Sequence, residues 1–206
     1  MPAPYTYPRP LDVRPALGHV NLMVDTFIAN ANVDDLRSIT RSLLATGPPS
    51  FVADFTNTAR SRLRQTNAKA VPSPYSLFIR QTHNSPAAPT QQLHDTLLRA
   101  RSLYGAGMGF ASLGVLASIV RASIGLRWED NGVIADILAV IDADIGQAIQ
   151  SSKEEIEGGR VSDISSAREI VNDLRGAVSE SLADTKSWGG EFPFDRASWS
   201  IQYWKI

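Results

Sequence analysis

Apolar residues recur three and four apart along most of this chain, the spacing of a helix with one buried face. From Ala16 onward Leu17, Val20, Val24, Phe27 and Ile28 share such a face, and Asn30-Ala31-Asn32 breaks it. Asn32 then has the form of an N-cap, with Asp34 and Asp35 in a first turn where negative charge suits the helix dipole. The second helix is expected to turn Leu36, Ile39, Leu43 and Leu44 inward and to stop at Thr46-Gly47-Pro48-Pro49. Ser50 is the expected cap of a third, with Phe51, Phe55, Ala59 and Leu63 along one side.

Two longer stretches organise the rest, Gln91 to Leu126 and Asn131 to Glu157. In the first, Leu93, Leu97, Ala100 and Tyr104 form a stripe that Gly105, Gly107 and Gly109 interrupt. Beyond the glycines Leu113, Leu116, Val120 and Ile124 lie on one face and Val115 and Ile119 on another, the mark of a helix buried nearly all round. In the second, Ile134, Leu138, Ile141, Ile145, Ala148, Ser152 and Ile156 alternate steps of four and three, Ile137 and Ile149 widen the stripe, and Gly158-Gly159 ends it. A last helix starts within Ser162 to Ser166 and buries Ile170, Leu174, Val178 and Leu182, with Val171 and Ala177 beside them.

Between and around these lie three segments of other character. Residues 1–15 read as a proline-stiffened extended arm. Residues 67–90, with Pro72, Pro74, Pro86 and Pro89, read as a linker or long loop. Its centre, Tyr75 to Ile79, is apolar enough to pack on the core as an extended segment or short strand. From Ser187 on the chain is dense in aromatics: Trp188, Phe192, Phe194, Trp199, Tyr203 and Trp204. Each can bury roughly 150–250 Å², so this tail is expected either to staple the bundle or to cover a partner. The fold class is therefore all-α, a bundle of about six helices divided as an arm (1–15), a three-helix unit (16–66), a loop (67–90) and a core bundle with its tail (91–206), together expected to form one compact domain.

Composition changes little in that picture: 206 residues with 43% hydrophobic and 20% charged content suit a chain with a sizeable core. Zero cysteines exclude disulfides, thiolate catalysis and Cys-type metal sites. The proline-rich start does not have the apolar run of a secretory signal, and cytosol or nucleus is the expected location. Charge does change it. Thirteen basic residues face six acidic ones up to Arg127, but seven face fifteen from Trp128 on. The two halves either complement each other or meet oppositely charged partners.

Candidate chemistry is sparse. The uncharged run Ser102 to Val120 holds four glycines and three serines, too broken for a membrane span of about twenty apolar residues. Its Gly105 to Gly109 segment fits neither a dinucleotide fingerprint nor a P-loop. Asp136, Asp142 and Asp144, placed from Ile134 at 100° per residue, fall at about 200°, 80° and 280°, three directions that read as solvated flanks and a boundary acid. His19, His83 and His94 suggest no triad or metal set. No catalytic, cofactor or metal residue is assigned. The strongest polar signal is Arg60, Arg62 and Arg64 with Lys69 beyond them, where basic groups suit a helix C-terminus and can also hold phosphate. The leading functional reading is a non-enzymatic intracellular interaction, regulatory or adaptor protein, self-associating or bound to another protein through helical faces or the six tail aromatics. The alternative is a nucleic-acid-associated protein using the four basic residues, and the third is an enzyme with a pocket beside Gly105 to Gly109.

Overall fold

The periodic apolar positions form eight helices in a computed structural model, which describes residues 22–67, 76–82 and 86–206. The fold is all-α, with one two-stranded sheet among the described residues. The arm at 1–15, the start of the first helix, His19, Lys69 and His83 lie outside the described residues. Among the described residues eight helices replace the expected six or so, for two reasons. The glycines split Gln91 to Leu126 into two helices, and the aromatic tail contains one of its own.

Contacts divide the chain into two units, Met1–Val52 and Ala53–Ile206. In the first, α1 (Leu22–Asn30) is followed by α2 (Val33–Thr46), and the border between the units falls inside α3 (Pro49–Asn67). Asn32 caps α2 by accepting from the Asp35 N–H at 2.8 Å. Helix α3 starts one residue before the expected Ser50 cap, because Pro49 takes the first helical position, where its missing N–H leaves nothing unpaired. The inward face expected of α2 is not found. None of its residues is buried, and Ile39 and Leu43 are exposed along with Val24, Phe27 and Ile28 of α1. Periodicity identifies the apolar side of a helix but says nothing of whether a neighbour covers it.

The second unit is built on α5 (Gly109–Ser123), which packs against α4 (Gln91–Gly105), α6 (Val133–Glu157) and α7 (Ile164–Trp188). Being enclosed on several sides, α5 buries Leu113, Leu116, Ile119 and Val120 completely. The stripe of α6 is buried as its spacing predicts, through Leu138, Ile141, Ile145 and Ala148. A turn at Gly107, whose φ of 71° suits glycine, separates α4 from α5. Gly109 then brings α5 against the α6 backbone, since a Cβ there would stand 2.6 Å from Ser152 Cα. Strands β1 (Phe78–Ile79) and β2 (Ala88–Pro89) pair antiparallel, and the Thr90 hydroxyl that caps α4 donates to the Leu77 carbonyl at 2.9 Å. Asp163, whose side chain accepts from the N–H groups of Ser165 and Ser166, starts α7, and the helix continues past Leu182 to Trp188.

The tail helix α8 (Asp195–Tyr203) packs on α6 and α7. Its attachment explains one of two acids read in the sequence as boundary or solvated positions. Asp142 and Asp144 are both buried, each 6% exposed. Asp144 accepts a bidentate pair of bonds from Arg101, at 2.8–3.1 Å, and a third from the Tyr104 hydroxyl at 3.0 Å. Burial first, and then the bond to Asp144, hold the Tyr104 phenol above its ordinary value. Asp142 accepts from the Ala197 N–H at 2.8 Å. It therefore satisfies one of the orphan donors in the first turn of α8, which has no capping side chain of its own.

Burial pushes the Asp142 carboxyl above its ordinary value, against the opposing pull of the Ala197 bond and the Arg196 charge; the neighbouring Asp195 adds to the rise. A raised folded-state value means the native protein takes up this proton before the unfolded chain does. The charge thus weighs against folding at neutral pH, and that cost is relieved as pH falls through the folded value toward the ordinary carboxylate range. Asp142→Asn retains an oxygen to accept from Ala197 but cannot titrate. In urea titrations its stability relative to wild type should therefore decline from pH 7 downward, and a pH-independent difference would contradict the assignment. Asp142→Ala, which leaves the N–H unpaired, should lose about 1–2 kcal/mol.

Candidate interaction surface

The six aromatics of the tail separate into two groups with different surroundings. Phe194 is fully buried, and Trp204, 8% exposed, stacks on Phe110 with ring centroids 5.9 Å apart. Phe192 meets Phe194 edge to face at 6.0 Å. Trp188 is the last residue of α7, edge to face with Trp128 at 5.0 Å and beneath the Arg127 guanidinium at 5.3 Å. Its ring lies over the backbone of Gly190, where any side chain would collide with it. Arg127 is itself held by Asp184, which also accepts from the Gly125 N–H at 3.0 Å. These four rings tie the tail to the core.

Trp199 and Tyr203 do not. They are 65% and 64% exposed, four residues apart on one face of α8, and stack on each other at 5.1 Å with 29° between the rings. The opposite face of the same short helix, Ala197 and Ile201, is buried, so the pair is displayed on an anchored element. Beside it runs a groove of about 490 Å³ between α6 and α8, lined by Gly146, Ile149, Gln150, Lys153, Trp199, Ser200, Tyr203 and Trp204. On α6, Gly146, Gln150 and Lys153 fall four and then three residues apart, which places them along one side of the helix. Gly146 has nothing within 4 Å of where a Cβ would be, so the groove is open above it.

The four lining residues Gly146, Gln150, Lys153 and Ser200 carry no sign in the sequence beyond their helical spacing. A lysine and a glutamine on the polar flank of α6 look like any solvated pair until α8 is laid beside them.

The basic residues end up in different settings. Arg60 is half-buried and donates from Nε to the Ala106 carbonyl at 2.6 Å, satisfying the C-terminal end of α4. It also donates to Asn57 at 3.2 Å. Burial, and then the nearby charge of Arg160, lower its pKa. Arg64 lies in the last turn of α3, and Arg62 lines a separate cavity of about 460 Å³ with Phe55, Ala59, Leu63 and Gly105. That cavity adjoins the glycine break, and Arg62 is the one ionisable side chain among its described lining residues. Among the described residues no group of three His, Asp or Glu side chains is placed to hold a metal ion. Nor is any described helix long and apolar enough to cross a membrane. No protein-family model, curated protein or solved structure matches this chain.

Proposed function

We propose that the chain is a non-enzymatic protein–protein interaction protein, an adaptor or regulator, that docks its partner on the Trp199–Tyr203 surface of α8 and the groove beside it. The observation that carries this reading is the double character of α8. One face is locked into the core by Ala197, Ile201 and the Asp142 bond, while the other holds two large stacked aromatics out in solvent. Tryptophan and tyrosine dominate the energetic centres of protein interfaces, because they supply large contact area with few rotatable bonds. A chain without cysteine suits a reducing compartment, and the reading places it in the cytosol or nucleus.

A photo-crosslinking residue at Ser200, on the groove, should give discrete protein adducts in native cells. The same residue at Lys186, exposed on α7, should not. Trp199→Ala should weaken the captured complex about thirtyfold, the loss of a hot-spot side chain, while leaving stability within about 0.5 kcal/mol of wild type. Sedimentation of the purified chain distinguishes a second copy from a different protein as the partner. Absence of any adduct specific to position 200 removes the proposal.

A further inference from the structure

Resting on the reading of the α6–α8 groove as a docking surface, we infer that its occupant is an acidic segment of a partner protein, seating a carboxylate at Lys153 and an apolar or proline side chain on the Trp199–Tyr203 pair. The charge lining the groove is of one sign. Among its described lining residues Lys153 is the only charged one, and none is a carboxylate. Of the other polar side chains among those described, the Trp199 and Trp204 indoles can only donate, while the Tyr203 and Ser200 hydroxyls and the Gln150 amide can donate or accept. The amide already donates to Glu154 at 3.2 Å.

Lys153 forms no ion pair among the described residues. The acids that follow it on α6, Glu154, Glu155 and Glu157, do not line the groove. An ammonium group has three donors and no acceptor, so the complementary group is an anion. The ring pair asks for something different. Two stacked aromatic faces, more than three-fifths exposed, gain most from flat or aliphatic partners such as proline and leucine. A neutral sugar would also lie on those rings, but it would leave Lys153 without a counter-charge. Acidic and apolar groups close together in one extended segment satisfy both halves of the groove.

The test uses the full chain and three short peptides at one ionic strength, with binding read from the indole N–H resonance of Trp199, assigned by its loss in Trp199→Phe. The first peptide alternates glutamate with leucine and proline, the second has lysine for every glutamate, and the third has serine for every leucine and proline. The acidic apolar peptide should bind about tenfold more tightly than its lysine counterpart, and the serine version should bind more weakly than either its charge or its length would suggest. Lys153→Gln should erase the acidic preference, and Lys153→Glu should invert it. Lys153 is exposed on α6, and a thermal melt of each variant checks that the fold is kept. Equal binding of acidic and basic peptides overturns the inference. So does an unchanged preference in Lys153→Glu, tighter binding of a neutral gluco-oligosaccharide, or no movement with any peptide. If position 200 crosslinks protein but the acidic preference is missing, only this inference falls; if it crosslinks nothing, the docking reading falls with it.

Discussion

Phe194→Ala should unfold at a much lower urea concentration than wild type, with a loss of about 3–5 kcal/mol, the range for removing a large aromatic from a packed core. Phe194 is among the largest side chains with no exposed surface, and it sits at the N-cap position of α8 with its ring edge to face against Phe192. Its removal leaves a cavity under the helix start and withdraws the support that keeps the Ala197 N–H over Asp142. A domain of this size has only about 5–15 kcal/mol of net stability, so the variant should be marginal at 37 °C. Denaturation followed by circular dichroism gives the number. A loss below about 1 kcal/mol would mean that the tail is not part of the cooperative unit.

Gly109→Ala should cost about 1–3 kcal/mol, although alanine is ordinarily the better helix former by roughly 1 kcal/mol. The sign is set by what the new methyl would meet. The obstruction at Ser152 includes its backbone nitrogen and Cα, which cannot rotate away as a flexible side chain can. Ser152 is fully buried and its hydroxyl donates to the Ala148 carbonyl at 2.8 Å, so α6 has little freedom to shift there. Gly105→Ala is the control: nothing lies within 4 Å of its Cβ position, and that variant should be neutral to slightly stabilising. Thermal melts of the two alanine variants should therefore move apart, and parallel shifts would show that α5 and α6 are not in close backbone contact.

The helical periodicity made the core of the second unit legible. Leu138, Ile141 and Ile145 are buried where their spacing puts them, and Asn32 caps α2 as its position suggests. The burial of Asp142 and Asp144 was not legible, although both stand about 80° from the centre of the α6 stripe, at its edges. Their partners are remote in sequence: Ala197 lies 55 residues from Asp142, and Arg101 lies 43 residues from Asp144. An acid at a stripe edge is solvated or buried according to what arrives over it, and local pattern contains no record of that. Helix α8 did leave a signal, since Ala197, Ile201 and Trp204 are spaced four and three apart. The density of aromatics around them obscured it. For the candidate surface, Trp199 and Tyr203 stood out by residue type, but composition could not separate them from Phe194 and Trp204. Only the side of α8 on which each ring falls does that. Lys153 was invisible for the opposite reason, being an ordinary residue made notable by its neighbours.

Helix α8 is nine residues long and donates a hydrogen bond to Asp142 of α6 in its first turn. An isolated helix of that length is unstable in water, because too few bonds follow the costly nucleus. Its helical shape therefore depends on its packing against α6 and α7. The Trp199–Tyr203 display thus exists only while the bundle beneath it holds α8 in place. A partner that recognises this surface would engage mature molecules and ignore immature ones, so that binding doubles as a report on whether the bundle beneath is complete.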